Sequence, residues 1–176
     1  MKIQLSHGCR ITPFRKGDEV LLAKRFSNPN VQKWLLDVPN PYTIDTARQW
    51  VDENIQFYNK NFNHLNLVIR ANNGDLIGGI GKKLVTGSNF AHSCEIGYWL
   101  ARPFWGKGIM TATVKAYTTH LLEKERFVRV TALPFASNYA SARILDKCGY
   151  KLEGILNKFV AKNKAYLDCK LYARVK

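Results

Sequence analysis

An apolar segment that runs through a proline turn into a glycine loop constrains this chain more than any other feature. The segment is Ile96–Leu100, the turn is built on Pro103, and the loop is Gly106–Gly108. From Ile109 onward a helix-like pattern follows. A strand, a glycine loop and a helix in this order favour an anion-binding cradle. Glycines let backbone N–H groups approach phosphate oxygens, and the helix N-terminus adds partial positive charge.

Three phosphate-binding motifs can be compared with this loop by their spacing. The nucleotide P-loop, G-x-x-x-x-G-K-[ST], does not fit, because Gly108 stands where serine or threonine is required. The dinucleotide motif G-x-G-x-x-G does not fit either, because Thr111 replaces its last glycine. A coenzyme A loop, [QR]-x-x-G-x-[GA], agrees at Gly108 but has Trp105 and Met110 at its outer positions.

A second motif, downstream, decides between these interpretations. From Asn138 the chain reads NYASARILDKCGYKLEG. This closely resembles the N-x-x-S-x-x-x-L-[ED]-K-x-G-[FY]-x-x-E-G signature of the GNAT acetyltransferase superfamily, in its RimJ/RimL-type branch. The EIGYWL strand and the closing segment at 168–174 are similar to the same branch. The resemblance therefore covers nearly the whole chain, from about Ile11 to Arg174.

The resemblance implies the GNAT acyl-CoA acyltransferase fold, which is an α/β (α+β) fold. Its mixed, mostly antiparallel sheet of about seven strands is splayed in the middle and flanked by helices. Coenzyme A lies in the V between two adjacent strands, which here would be Glu95–Leu100 and Val128–Leu133. The 176 residues contain no repeat or linker, so we expect a single domain over residues 1–176.

Periodicity, caps and turn residues predict the elements along the chain. Thr43 is the expected N-cap of a long helix whose apolar positions end with Phe62, and Asn73-Gly74 predicts a hairpin turn. Gly78, Gly79 and Gly81 suggest a bulge or a close approach of backbone. Strands are predicted at 3–12, 65–70, 76–86, 91–100, 127–133, 150–159 and 165–174, and helices at 18–26, 30–36, 43–61, 107–124 and 138–147.

Composition favours an ordinary globular protein. Hydrophobic residues make up 46% of the chain and charged residues 23%, which excludes a disordered chain. No apolar run approaches the roughly 20 residues of a membrane helix, and the N-terminal ten residues contain no apolar signal core. The four cysteines are scattered without a C-x-x-C pair. We therefore expect a cytoplasmic protein with reduced thiols and no metal site.

The net charge of +14 is compatible with nucleic acid, an anionic membrane surface or acidic substrates as partners. Lysine and arginine are spread along the whole chain, without a basic tail or a block of like charges. We interpret the charge as a basic solvated surface that also attracts a polyanionic coenzyme. No membrane partner is expected, and no nucleic acid except through ribosomal substrates.

Acetyl-CoA is the co-substrate that the resemblance implies. Backbone groups of Tyr98, Trp99 and Leu100 would hold the pantetheine as an added strand would. Asn138 matches the residue that hydrogen-bonds the pantetheine arm, although it is equally interpretable as a helix N-cap. Ser141 also faces the coenzyme by this resemblance. Main-chain amides would hold the pyrophosphate along the loop formed by Trp105, Gly106, Lys107, Gly108, Ile109, Met110 and Thr111.

Two residues are the candidate catalytic groups. Many GNAT enzymes place a tyrosine beside the thiol, but Leu145 stands at that position, so Ser141 is the expected acid. Its alternative interpretation is a hydroxyl bonded to the helix backbone. Glu95 is the expected base, or else a half-buried strand carboxylate in an ion pair. Some members carry a second glutamate where Val160 stands here.

The resemblance implies acetyl transfer to a primary amine by direct attack in a ternary complex. A protein N-terminal α-amine is the leading acceptor, because it is far less protonated at neutral pH than lysine. Trp34, Tyr42 and Phe159 are the candidate acceptor-binding residues, and each could equally belong to the core. A small-molecule amine acetyltransferase and a non-catalytic acyl-CoA-binding module remain alternatives. The acceptor's identity and the formation of a homodimer stay open.

Overall fold

The computed structural model describes residues 2–36, 38–61, 65–85 and 87–176. Phe62 and Thr86, predicted near the ends of a helix and a strand, lie outside these residues. The chain divides into two compact units. The first unit comprises Met1–Gly81 with Tyr98–Thr113, and the second comprises Lys82–Gly97 with Val114–Lys176. The single domain over residues 1–176 stays a prediction.

Eight strands and five α-helices are formed by the described residues. Their bounds are β1 (Ile3–Gln4), β2 (Arg10–Thr12), α1 (Asp18–Phe26), α2 (Pro29–Gln32), α3 (Ile44–Asn61), β3 (Asn66–Arg70), β4 (Leu76–Leu84), β5 (Ser93–Leu100), α4 (Ile109–Glu123), β6 (Arg129–Ala132), α5 (Tyr139–Lys147), β7 (Lys151–Lys162) and β8 (Ala165–Val175).

Strands of the first unit pair antiparallel in the order β1-β2-β3-β4. The single strand predicted over residues 3–12 is wrong, because a turn at Ser6–Gly8 divides it into β1 and β2. His7 and Gly8 have φ angles of 64° and 66°, and a strand cannot continue through two left-handed residues. This division accounts for eight strands where about seven were expected.

The core of the first unit forms where α1 and α3 cover strands β3 and β4. Leu22, Phe26, Val51, Val68 and Leu76 are buried there. The predicted helix over residues 18–26 is confirmed at both ends. So is the cap of α3, since the Thr43 hydroxyl accepts from the Thr46 amide at 3.2 Å.

Gly78 and Gly79 allow the strands β4 and β5 to approach within the first unit, which confirms a close backbone approach. A Cβ on Gly78 would lie 2.6 Å from the Trp99 carbonyl oxygen, and a Cβ on Gly79 would lie 2.5 Å from Trp99 Nε1. The Trp99 ring continues into the core and packs edge-on against Phe26 at 4.4 Å between ring centroids. Neither glycine can therefore be replaced by alanine without moving Trp99 or its strand.

A buried ion pair joins α1 to β3 in the same unit. Arg70 donates from Nη1 and Nη2 to the two carboxylate oxygens of Asp18, at 2.6 and 2.7 Å. Asp18 also accepts from the Arg15 amide, and Arg70 also donates to Thr12 and Pro13. Both side chains are 4% or less exposed. The two buried charges therefore neutralise each other, and the additional hydrogen bonds satisfy their remaining polar atoms.

In the second unit the strand order is β5-β6-β8-β7. The β5–β6 pairing is parallel and extends over three residue pairs, ending at Glu95↔Thr131, whereas β6–β8 and β7–β8 are antiparallel. The short parallel ladder is where the predicted splay would begin. The fold class is confirmed, because the strands are mixed, mostly antiparallel and accompanied by helices.

The β7–β8 hairpin is longer than the sequence indicates. Strand β7 continues to Lys162, and the turn consists of Asn163 and Lys164, whose φ angles are 50° and 64°. Two left-handed residues in a two-residue turn match the right-handed twist of the flanking strands. The connection between the strands predicted at 150–159 and 165–174 is therefore shortened to the two turn residues.

All four cysteines are free and buried: Cys9, Cys94, Cys148 and Cys169. Within the described ranges, no His, Cys, Asp and Glu side chains form a group of three or more that could hold a metal ion. Among the same residues, none of the helices combines the length and apolar character that crossing a bilayer requires.

Candidate active site

Two hydrogen bonds within the first unit fix the end of strand β5, one to strand β4 and one to the loop that follows. The Ala101 amide donates to the Ile77 carbonyl at 2.8 Å. After a short 3-10 turn at Arg102–Phe104, the indole N–H of Trp105 donates back to the Leu100 carbonyl at 2.6 Å. These contacts fix the direction in which the chain enters the glycine loop.

Gly106 and Gly108 give the loop a conformation that other residues adopt at a cost. Their φ angles are 76° and 74°, in the left-handed region that favours glycine. Both glycines and Lys107 between them are exposed. Helix α4 begins directly afterwards, and the Ala112 amide donates to the Gly108 carbonyl at 3.0 Å. The main-chain amides in the first turn of α4 point out of the N-terminal end of the helix, as an anion cradle requires.

Side chains at the start of α4 are not available to a ligand. Ile109 and Met110 are buried at 5% and 6% exposure, so only their main-chain amides can contribute to binding. This explains why Met110 can occupy a position where the coenzyme A motif has glycine or alanine. Thr111 follows on the same turn with a half-buried side chain.

Three cations of the first unit lie against the aromatic rings of the loop. The Arg102 guanidinium stands 5.0 Å from the centre of the Trp105 ring. Lys107 Nζ and the Arg25 guanidinium stand 5.6 and 5.2 Å from the centre of the Phe104 ring. Each distance is within the range of a cation–π contact. The positive charge that these groups hold beside the loop favours a polyanion.

Tyr98, Trp99 and Leu100 form the end of β5 that was expected to hold the pantetheine. Trp99 packs in the core against Phe26, and Leu100 is 8% exposed. The side chains of both residues are thus committed to packing, and their peptide groups are what a ligand could use. Tyr98 is half-buried.

The loop fits a coenzyme A diphosphate by its shape and its charge. The position of a Cβ on Gly106 has no other heavy atom within 4 Å. The exposed peptide groups at Gly106–Gly108 and the cations beside them supply donors and positive charge for phosphate oxygens. Main-chain amides of Gly106, Gly108, Ile109 and Met110 are the groups that would hold the diphosphate.

Glu95 lies in the second unit, opposite Thr131 at the last pair of the β5–β6 ladder. Burial raises the pKa of the Glu95 carboxyl, and Lys83 counteracts this in part. A carboxylate with a raised pKa is a stronger base than an exposed one, which suits proton transfer near neutral pH. Gly97 follows on the same strand, and a Cβ there would meet no other heavy atom within 4 Å.

Asn138 and Ser141 also lie in the second unit, at the start of α5. The Asn138 side-chain oxygen accepts from the Ser141 amide at 3.1 Å, so Asn138 is the N-cap of this helix. The alternative interpretation of Asn138 as a cap is therefore confirmed. Ser141 is half-buried on the first turn.

The remaining residues are Leu145 and the three candidate acceptor-binding residues, and they differ in how far they are buried. Leu145 is fully buried, so the helix offers a core side chain where many GNAT enzymes have tyrosine. Tyr42 is a core residue, in edge contact with Phe26 at 4.9 Å, and burial raises its pKa to about 12. Trp34 is half-buried under Lys33 in the first unit. Phe159, in contrast, is 52% exposed on β7 in the second unit.

Two contacts of the loop could not be inferred from the sequence motifs. One is the hydrogen bond from Trp105 to Leu100. Trp105 stands where the coenzyme A motif has Gln or Arg, and this bond helps to hold the loop. The other is His7, whose Nε2 lies 3.4 Å from the Cβ position of Gly108. Nothing in the sequence around Trp105 predicts its contact with Leu100, apart from the departure of Trp105 from the motif. The only signal at His7 is the His-Gly pair, since both residues tolerate a left-handed turn.

Comparison with known proteins supports the same family for most of the chain. The profile of the Acetyltransferase (GNAT) domain matches residues 9–151. The protein is 30% identical to YdaF of Bacillus subtilis (strain 168), provisionally named a ribosomal N-acetyltransferase, over 82% of this chain and 77% of YdaF. It is 27% identical to the ribosomal-protein-serine acetyltransferase of Escherichia coli (strain K12), over 74% of this chain and 71% of that protein.

A solved structure agrees in fold over almost the full length. The ribosomal L7/L12 alpha-N-protein acetyltransferase RimL, in complex with coenzyme A, superposes with a TM-score of 0.86. Its sequence is 24% identical, and the match covers 99% of this chain and 98% of RimL.

Proposed function

The chain belongs to the GNAT acetyltransferase family, and from this premise we propose that it moves an acetyl group from acetyl-CoA to the N-terminal α-amine of a protein. The observation that carries the proposal is the exposed loop Gly106–Gly108, with its left-handed glycines and the start of α4 behind it. Two relatives whose names refer to ribosomal substrates support a ribosomal protein as the acceptor.

The chemistry of the acceptor supports an α-amine over a lysine side chain. The ordinary pKa is about 7.7 to 8.0 for an α-amine and about 10.4 for lysine. Roughly a tenth of the α-amine is therefore neutral at pH 7, compared with well under a thousandth of the lysine. A site with one half-buried carboxylate can therefore deprotonate an α-amine more readily than a lysine side chain.

We assign a separate role to each polar group. Bound acetyl-CoA supplies an activated acyl carbon. Glu95 accepts, directly or through water, the proton that the amine loses as the C–N bond forms. A main-chain N–H near Leu100 stabilises the oxyanion. Ser141 donates a hydrogen bond to the sulfur as the C–S bond breaks, which is sufficient because a thiolate is a good leaving group.

The experiment that tests the proposal is incubation of the purified protein with ribosomal proteins and acetyl-CoA, followed by mass spectrometry of intact chains and their N-terminal peptides. One added acetyl group on an N-terminal peptide is expected. Transfer only to polyamines or amino acids would support a small-molecule acetyltransferase instead. Binding of acetyl-CoA without any transfer would support a non-catalytic module.

Replacing Ser141 with alanine is expected to lower kcat by roughly ten- to a hundredfold, while the Kd for coenzyme A changes less than twofold. The reason is that Ser141 acts on the leaving sulfur and not on the diphosphate. Steady-state kinetics and calorimetry measure the two effects. Ser137→Ala is the matched control, since Ser137 is an exposed serine just before the same helix. An unaltered kcat in Ser141→Ala would remove this hydroxyl from catalysis.

Replacing Glu95 with glutamine is expected to lower kcat/KM about a hundredfold and to remove one limb of its pH profile. Because burial raises the pKa of Glu95, this carboxyl becomes protonated as the pH falls through that raised value. A protonated carboxyl cannot act as a base, so activity of the unsubstituted protein decreases there. The measurement is kcat/KM from about pH 5 to about pH 9. This range covers the titration of a carboxyl with a raised pKa and that of the acceptor α-amine.

Glu153→Gln is the control for this profile. Glu153 belongs to the same unit, and the hydrogen bond from Arg129 lowers its pKa, so it should not titrate in the range where activity changes. The remaining limb of the kcat/KM profile in Glu95→Gln should follow the titration of the acceptor amine alone. If Glu95→Gln kept the profile of the unsubstituted protein, Glu95 would not be the base.

A further inference from the structure

His7 lies at the glycine loop although it is far from it in the sequence. It occupies the turn between β1 and β2, and its Nε2 is 3.4 Å from the position of a Cβ on Gly108. The side chain is exposed. Within the described part of the chain, the imidazole has no hydrogen-bond or ion-pair partner. An unengaged donor thus lies directly beside the cradle.

The backbone of His7 is held in an uncommon conformation. Its φ of 64° is left-handed, a region that only a few per cent of non-glycine residues occupy. The hairpin imposes this geometry, because Gln4 pairs with Arg10 and the Leu5 amide donates to the Cys9 carbonyl at 2.9 Å. Such conformations persist where the surrounding structure fixes them, and they are frequent at ligand sites.

The arginine and lysine side chains near the loop are already in contact with aromatic rings. Arg102 lies over Trp105, and Lys107 lies over Phe104. They provide charge around the loop, whereas the His7 imidazole is the group placed over Gly108 itself. An imidazole has at least one N–H in either protonation state, so it can donate to an anion in both.

We infer that His7 is a further coenzyme-binding residue, which donates a hydrogen bond from its imidazole to the diphosphate held by the Gly106–Gly108 loop. This rests on the proposed function, since it requires that the loop binds a coenzyme A diphosphate. Its consequence is selectivity, because a thioester that lacks the diphosphate gains nothing from His7. The N-terminal hairpin, outside the motifs of the family, then contributes to recognition of the acyl donor.

The test is a comparison of His7→Gly with the unsubstituted protein. Glycine adopts the left-handed φ without strain, so this variant removes the imidazole and keeps the turn. We expect the Kd for coenzyme A to rise roughly five- to tenfold, as for loss of one hydrogen bond to a charged group near solvent. The same rise is expected with 3′-dephospho-coenzyme A, which keeps the diphosphate. Calorimetry measures both.

Two controls separate the possible outcomes. S-acetylpantetheine lacks the diphosphate, so its weak affinity, measured by ligand-observed NMR, should not change in His7→Gly. Lys2→Ala removes an exposed positive charge from the same terminal segment and should leave the Kd for coenzyme A within about twofold, as for a charge screened by solvent.

Several results would overturn the inference. Equal losses in His7→Gly and Lys2→Ala would indicate long-range charge, and a loss confined to coenzyme A would indicate its 3′-phosphate. A loss that extends to S-acetylpantetheine would indicate a general disturbance of the loop. An unchanged Kd in His7→Gly rejects the role of His7 alone. Failure of the unsubstituted protein to bind coenzyme A rejects the proposed function itself.

Discussion

Replacing Gly108 with glutamate is expected to abolish the rise in melting temperature that the proposed binding of acetyl-CoA should give the unsubstituted protein. A ligand at a hundred times its Kd stabilises a protein by about 2.7 kcal/mol, which corresponds to roughly 5 to 10 °C for a chain of this size. In the variant, a carboxylate would stand where the diphosphate is expected. The left-handed φ of 74° at Gly108 would also be strained by any side chain. Thermal scans with and without acetyl-CoA measure the effect.

Gly149→Glu is the matched control for this variant. Gly149 has a φ of 79° and open space around its Cβ position, so the substitution introduces the same side chain with the same kind of backbone strain. It lies in the second unit, after α5. Both variants should melt at a lower temperature than the unsubstituted protein, but only Gly149→Glu should keep the response to acetyl-CoA. An equal response in Gly108→Glu would mean that the loop does not hold the diphosphate.

Replacing Asp18 with alanine is expected to lower the free energy of unfolding by about 3 to 5 kcal/mol. The substitution leaves the buried guanidinium of Arg70 without the carboxylate to which it donates two hydrogen bonds. An unpaired buried charge is far more costly than the loss of an exposed pair. Urea unfolding followed by circular dichroism measures the difference between the variant and the unsubstituted protein.

An exposed ion pair provides the control for Asp18→Ala. Asp45 pairs with Arg48 on α3, where the side chains are 81% and 54% exposed. Asp45→Ala should cost no more than about 1 kcal/mol. A double substitution of Asp18 by leucine and Arg70 by methionine should recover most of the loss, since apolar residues can replace a buried pair. Equal effects of Asp18→Ala and Asp45→Ala would show that the buried pair contributes no special stability.

Elements with strong local signals could be predicted to within a few residues. Helix α1 was predicted at both ends, because acidic residues in its first turn and an apolar stripe mark it. The turn between β1 and β2 was missed, because the His7-Gly8 pair is only a weak turn signal. The length of β7 was missed for a related reason, because Asn163 and Lys164 form its turn without glycine.

The loop of the candidate site could be predicted because its glycines and their spacing carry the signal. The contacts around it could not. His7 reaches Gly108, and the Trp99 ring lies over Gly79, through pairings between segments that are distant in sequence. Such contacts depend on strand register, which no local pattern records. The cap formed by Asn138 was one of its two interpretations. Its contact with the pantetheine arm stays a prediction.

Burial of the cysteines has a consequence for the proposed use of a thioester as acyl donor. Burial raises the pKa of Cys9, Cys148 and Cys169, and it raises that of Cys94 to about 12. Only a thiolate attacks a thioester efficiently, so none of the four sulfurs competes with an amine for the acyl group. Under the proposed function, the four cysteines are therefore poor acyl acceptors, and the acyl group stays available to an external amine.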